Sequence, residues 1–131
     1  MFTQGDSYSQ QFTVSEAVHR DFVALFGDEN PLHTDEVFAK AKGFQGCVMH
    51  GNILNGFLSY FIGECMPTKD VIIHSQEIQF KNAVYMGDVL DFSATVEGFY
   101  ESVNAVEFKF SFKNAASKVV AKGKIQIGLL Q

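Results

Sequence analysis

One segment of this 131-residue chain constrains the fold more than any other, the apolar run across residues 50–64. Its large side chains recur at helical spacing and cover a face wider than a surface helix needs. The remaining stripe is small or polar, and it consists of Asn52, Asn55, Gly56, Ser59 and Gly63. The segment is too short and too polar to cross a bilayer. It therefore predicts a helix that begins near His50 or Gly51 and is buried on most sides by the rest of the chain.

The second half of the chain has the pattern of a sheet with one face in water. Apolar and polar residues alternate across residues 89–97 and 106–113, and strands are also expected over residues 71–80 and 118–129. An early strand over residues 7–12 would make five. Helices followed by a run of strands favour an α+β fold with an antiparallel sheet. Such a five-stranded sheet can wrap the apolar helix and bury it.

Shorter helices are predicted before the apolar one. Thr13 and Glu16 have the spacing of a capping box, and the helix that follows would end at Gly27. A second short helix is expected to begin at Thr34 and to end at Gly43.

Composition excludes several classes of protein. Apolar residues are 47% of the chain, which is enough for a packed core, and the net charge of −5 with no basic cluster argues against nucleic acid or an anionic membrane as a partner. The two cysteines make no disulfide framework, and no signal peptide is recognisable, so we expect a cytoplasmic protein. We expect one domain over residues 1–131, with no cofactor and no metal site, because no phosphate loop, nucleotide fingerprint or complete ligand set is present.

The densest functional signal is the segment Phe26-Gly27-Asp28-Glu29-Asn30-Pro31-Leu32-His33. Pro31 disfavours a helical backbone at Asn30, so the segment is expected to be a structured loop. A carboxylate and an imidazole five residues apart in such a loop can hold one water between them, the layout of general acid–base catalysis. By themselves, an aspartate and a histidine in one loop are more often a capping aspartate and a surface histidine.

A second signal lies at the start of the apolar helix. Free N–H groups and the positive end of the helix dipole are expected there, and Gly51 has no side chain to keep a ligand oxygen from its N–H. This is a candidate oxyanion site. The alternative is an ordinary helix start with a glycine for close packing. His50 is expected to have a packing or hydrogen-bonding role, and His19 to lie on the surface.

These residues carry a resemblance to a known family. The stretch from Gly27 to His33, followed by five residues and Ala39, resembles the hydratase motif of the MaoC-like, (R)-specific enoyl-CoA hydratases. The resemblance covers roughly residues 8–100 in order and spacing, and it continues through Phe44, His50-Gly51, Ser59, Gly63, Phe80 and Gly87-Asp88. It implies a hot-dog fold, in which an antiparallel sheet wraps one long helix.

The resemblance also implies a reaction, the reversible syn addition of water to a trans-2-enoyl thioester, which gives the (3R)-hydroxyacyl thioester. Asp28 and His33 would hold the catalytic water, and the Gly51 N–H would polarise the thioester carbonyl. Asn30 and Ser59 match positions that support the catalytic loop by hydrogen bonds. The enzyme would be a hydro-lyase of acyl-thioester metabolism.

Two other functions stay open on the sequence alone. A thioesterase of the same fold needs a carboxylate beside the buried helix, and Glu64 lies at its far end. A non-catalytic acyl-binding subunit typically lacks the acid–base pair, which this chain keeps. The substrate carrier, coenzyme A or acyl carrier protein, the acyl length and the physiological direction are not encoded in any pattern we recognise. We expect a homodimer at least, because one subunit has too few strands to hide a sheet edge.

Overall fold

The computed structural model describes residues 1–130 of the chain. In chain order, the elements are β1 (Ser7–Thr13), α1 (Glu16–Phe26), α2 (Pro31–Thr34), α3 (Glu36–Ala41), α4 (Asn52–Glu64), β2 (Val71–Phe80), β3 (Val89–Tyr100), a 3₁₀ turn (Glu101–Val103), β4 (Ala105–Lys113) and β5 (Val119–Leu129). The apolar segment is thus α4, the longest helix of the described chain. None of the helices in residues 1–130 is long and apolar enough to cross a membrane.

The five strands form one antiparallel sheet in the order β1-β3-β4-β5-β2. Strand β3 alternates buried and exposed residues from Val89 to Glu97, as its period-two pattern predicts. In the paired strand β4, Phe108, Phe110 and Phe112 point to the same buried side. The predicted α+β class and the five-stranded antiparallel sheet are therefore confirmed, and β1 and β2 are its two edges.

Helix α4 lies against the inner face of this sheet. Leu58 and Phe61 are at most 1% exposed, and the Phe61 ring lies 4.8 Å from that of Phe92 and 5.8 Å from that of Phe108, centroid to centroid. Burying a side chain of this size contributes roughly 1.5–3 kcal/mol relative to leaving it exposed. The opposite stripe of α4 is exposed, including Ser59 and Tyr60, so this chain covers one side of the helix and not most of its circumference.

Local hydrogen bonds correct three predicted boundaries. The N-cap of α1 is Ser15, whose hydroxyl accepts from the Val18 N–H, whereas Thr13 pairs with Val89 inside the sheet. Pro31 is the first residue of α2, so the second half of the expected loop is a short helix. The next helix is capped by Asp35 and not by Thr34.

Candidate active site

Asp28 lies in the connection between α1 and α2. Gly27 ends α1 in the left-handed region (φ 71°), where glycine is favoured. The Asp28 carboxylate accepts the Asn30 N–H at 3.1 Å, and the Asn30 side chain accepts the Leu32 N–H at 3.0 Å and so caps α2. These two local bonds hold the carboxylate and the start of α2 in one rigid turn.

His33 lies on α2 and is half-buried. Its Nδ1 lies 2.7 Å from the Val48 carbonyl oxygen, and the Val48 N–H donates back to the Leu32 carbonyl at 3.0 Å. Because a carbonyl only accepts, Nδ1 is the donor, and the neutral ring then presents the lone pair of Nε2. The backbone at Val48 therefore fixes both the position and the tautomer of His33.

The two side chains come together, and a third joins them. One carboxylate oxygen of Asp28 and one ring nitrogen each of His33 and His50 lie within 4.8 Å of one another. Two hydrogen bonds of ordinary length from a single water span roughly 4.5 Å between their outer atoms. The separation of Asp28 and His33 is therefore one that a single water can bridge.

His50 is buried behind this pair. Its Nε2 lies 2.9 Å from the Asp28 carbonyl oxygen, and its ring stacks on that of His33 with centroids 3.9 Å apart. Burial is the main reason that the pKa of His50 is lowered from its ordinary value, and the neighbouring His33 adds to the effect while Asp28 opposes it.

The start of α4 has the properties of an anion site. Gly51 is the N-cap residue, no side chain caps the helix, and within residues 1–130 the N–H groups of Gly51 and Asn52 have no protein acceptor. The Phe80 ring covers Gly51 so closely that a Cβ at this position would lie 2.8 Å from the ring. Glycine is thus required here for the close approach of that ring.

Two cavities flank the first turn of α4. The smaller, about 440 Å³, is lined by His33, Gly51 and Phe80 among others, and the larger, about 740 Å³, runs between α1 and α4 from Asp28 past Gly56. Asn52 lines both. The carboxylate and the imidazole therefore line two adjacent cavities that meet at Asn52 in the first turn of α4.

Other residues depart from the sequence-based expectation. Ser59 is exposed and lies about 12 Å along α4 from Gly51, and within residues 1–130 its hydroxyl makes no hydrogen bond to the loop that carries Asp28. The predicted support by Ser59 is therefore not formed within this chain. His19 is half-buried and not on the surface, with its Nε2 3.1 Å from the His33 carbonyl. His19 lies on the same side of α1 as the apolar residues Val18 and Phe22, and this position in the sequence is the signal that indicates its partial burial.

The residue types of the cluster also suit a transition metal. Asp28 offers a carboxylate. In each histidine, however, one ring nitrogen faces a backbone carbonyl: this nitrogen is Nδ1 in His33 and Nε2 in His50. A metal would have to use the remaining nitrogens, and the Nδ1 of His50 is fully buried. The hydrogen bonds of the two rings therefore do not favour a metal at this cluster.

The chain is similar to known proteins along most of its length. A family model described as a MaoC like domain matches residues 3–120. The chain is 32% identical over 124 residues to an (R)-specific enoyl-CoA hydratase of Rhodospirillum rubrum, covering 95% of this chain and 85% of the relative. It is 28% identical to a mitochondrial 3-hydroxyacyl-[acyl-carrier-protein] dehydratase of Arabidopsis thaliana, over 92% of this chain and 73% of that protein.

A solved structure supports the same grouping. The (R)-hydratase from A. caviae involved in PHA biosynthesis superposes with a TM-score of 0.90 at 25% identity, covering 98% of this chain and 97% of that one. The hot-dog fold implied by the motif is therefore confirmed. The relatives named hydratases and dehydratases are hydro-lyases, in agreement with the predicted enzyme class. The chain belongs to the MaoC-like domain family.

Proposed function

We propose that this protein catalyses the reversible, (R)-specific hydration of trans-2-enoyl thioesters to (3R)-hydroxyacyl thioesters. The observation that carries the proposal is the approach of Asp28 and His33 to within 4.8 Å, beside the uncapped N-terminus of α4. The similarity to an (R)-specific enoyl-CoA hydratase along most of the chain supports the same reaction.

The chemistry follows from the Asp28 carboxylate, the His33 imidazole and the Gly51 N–H. A water held between Asp28 and His33 loses a proton to one of them as its oxygen forms a bond to C3 of the enoyl group. The electron pair of the C2–C3 double bond moves towards the thioester carbonyl, whose oxygen becomes enolate-like. That electron pair then takes a proton at C2 from the same acid–base pair, so the elements of one water are added.

The developing negative charge is stabilised at the start of α4. The Gly51 N–H lies at the positive end of the helix dipole, and the half-buried surroundings strengthen its interaction with an oxyanion. Losing one such donor typically costs about 10²–10³-fold in kcat. The Phe80 ring packs against this glycine and would present a flat apolar face beside the thioester.

The larger cavity is suited to the acyl chain. It begins at Asp28, where the reacting carbons would lie, and continues between the apolar residues of α1 and α4, among them Phe22, Leu25 and Phe57. Leu25 is 76% exposed, which is a large exposed fraction for an apolar side chain. Relatives are named for coenzyme A and for acyl-carrier-protein substrates, so both carriers stay within the proposal.

A homodimer completes the proposal. Strand β2 is a sheet edge with most of its residues exposed, and the small residues of the exposed α4 stripe would let a second helix approach closely. A second copy on the side of β2 and the exposed α4 stripe would pair the two β2 edges and cover the larger cavity. Ser59 would then face the second copy, where its hydroxyl would have hydrogen-bond partners that residues 1–130 of its own chain do not offer.

The thioesterase alternative is disfavoured by the geometry. Glu64, the carboxylate on α4, lies at the opposite end of the helix from Gly51 and is 2.7 Å from Lys69 Nζ. A non-catalytic subunit is disfavoured because both members of the acid–base pair are present and close.

The test measures hydration of crotonyl-CoA by the purified protein and by two variants, Asp28→Asn and His33→Ala. We expect each variant to fold and to lose at least about 10²-fold in kcat, the usual contribution of a general acid–base group. Asp91→Asn is the matched control, because it removes one exposed carboxylate far from the site and keeps an acceptor for the Gln11 amide. Near-normal turnover by either site variant, or thioester hydrolysis in place of hydration, would contradict the proposal.

A further inference from the structure

His50 is the sole buried polar or charged residue within residues 1–130, with 4% of its surface exposed. Its Nδ1 is fully buried and has no hydrogen-bond partner in the described chain. A buried polar atom without a partner costs free energy, which an apolar ring of similar size would avoid. Packing alone therefore does not account for a histidine at this position.

The other ring nitrogen has a specific partner. Nε2 lies 2.9 Å from the carbonyl oxygen of Asp28 and 3.8 Å from its carboxylate Oδ2. A carbonyl oxygen only accepts, so Nε2 carries the hydrogen and Nδ1 carries none. This bond holds the backbone of Asp28, which lies in a connection and has a side chain that is 51% exposed.

The face of the same ring supports His33. The two rings stack at 29° with centroids 3.9 Å apart, and Phe22 lies against the His50 ring at 4.6 Å. The Val48 carbonyl fixes one edge of the His33 ring, and His50 fixes its face. One buried side chain thus contacts both groups that hold the catalytic water.

We propose that His50 is a positioning residue of the hydration site: its Nε2–H holds Asp28 and its ring holds His33, so that the two stay one water apart. This inference rests on the proposed function, since it concerns the same pair. A displacement of about 1 Å in such a pair can cost roughly 10²-fold in rate, so the effect is expected in kcat.

The neutral form of His50 is the one that fits these contacts. The titratable groups that face it are Asp28, His33 and His19, whose ring centroid lies 5.6 Å away. A protonated His50 would bury a second N–H without an acceptor and would place a cation against His33. Burial accordingly lowers the pKa of His50.

Three variants separate positioning from packing. His50→Phe keeps an aromatic ring and removes both the donor to Asp28 and the unpaired nitrogen, so we expect it to fold with equal or higher thermal stability. His50→Gln can place an amide N–H near the position of Nε2, whereas the shorter His50→Asn cannot. We expect kcat on crotonyl-CoA to fall about 10–100-fold in the Phe and Asn variants, with KM changed less than about 3-fold. We expect kcat to fall less in the Gln variant than in the Asn variant, because glutamine keeps the donor to Asp28 although it loses the ring against His33.

A second readout does not depend on activity. Nitrogen NMR of the wild-type protein should show His50 as the neutral Nε2–H tautomer at pH 7. The Nδ1–H tautomer, or a folded Phe variant with kcat within about 2-fold of wild type, would overturn the inference. If the Phe variant fails to fold, equal kcat in the Gln and Asn variants would overturn it instead. A wild-type protein without hydratase activity would refute the proposed function. If the wild type is active and Asp28→Asn inactivates it, the proposed function stands, and the His50 variants then test the role of His50 alone.

Discussion

Filling the larger cavity from α4 should change the acyl length that the enzyme accepts. Gly56 lines that cavity, and a Cβ at this position would meet nothing within 4 Å in its own subunit, so Gly56→Leu is sterically allowed within one subunit. Leucine is also a better helix former than glycine, which favours folding by about 0.8 kcal/mol. We therefore expect the variant to fold and to project four new carbons into the space between α1 and α4.

The size of the effect follows from burial of the acyl chain. Octenoyl-CoA has four more carbons than crotonyl-CoA, and at about 0.8 kcal/mol per buried CH₂ their full burial contributes roughly 3 kcal/mol. The cavity is open on one side, so half of that, about 1.6 kcal/mol, is a cautious lower figure. The leucine occupies the same space, so the ratio of kcat/KM for octenoyl-CoA to that for crotonyl-CoA should fall by about 15–200-fold.

The assay compares both substrates with a control on the same helix. Gly63→Leu adds the same side chain two turns further along the exposed stripe. A Cβ on Gly63 also meets nothing within 4 Å, and Gly63 does not line the larger cavity. Both variants are checked for oligomeric state by light scattering, since the stripe is the proposed dimer contact. An unchanged substrate ratio in a folded, dimeric Gly56→Leu protein would refute the assignment of this cavity to the acyl chain.

Two further predictions concern stability. The folded state lowers the pKa of His50 from its ordinary value of 6.5, so the unfolded chain takes up the proton first as the pH falls. The free energy of unfolding should therefore drop below about pH 6.5 and level off once the pH passes the folded-state pKa, and His50→Phe should show a smaller drop in Tm between pH 7.5 and pH 5. Leu58→Ala should lower the free energy of unfolding by about 2–5 kcal/mol, measured in urea, because Leu58 is fully buried between α4 and the sheet. A loss below 1 kcal/mol would contradict the packing described for α4.

The long elements were predictable because their patterns are local. The wide apolar face of α4 and the alternation in β3 and β4 each follow from one stretch of sequence. Helix starts were harder, since Thr13 and Ser15 are both good capping residues. The pairing of Thr13 with Val89 decides between them, and that contact joins residues 76 positions apart.

The candidate site likewise has one part that the local sequence predicts and another that depends on distant contacts. The convergence of Asp28 and His33 was expected from their spacing around Pro31, and the structure places them within 4.8 Å of each other. The Val48 carbonyl that orients His33 comes from 15 residues away, and the His50 donor to Asp28 from 22, so no local pattern contains them. The exposure of Ser59 depends on what covers α4, which a single subunit does not supply.

The stereochemistry of hydration in D₂O shows whether Asp28 and His33 act on one water from one side of the substrate. In the proposed mechanism, Asp28 and His33 hold one water on one side of the substrate, so the hydroxyl and the deuterium should reach the same face of the double bond. Crotonyl-CoA is therefore expected to give a single (3R)-3-hydroxybutyryl-CoA diastereomer with syn-added deuterium at C2, read by NMR coupling and chiral chromatography. A (3S) or racemic product, or anti addition, would contradict the account.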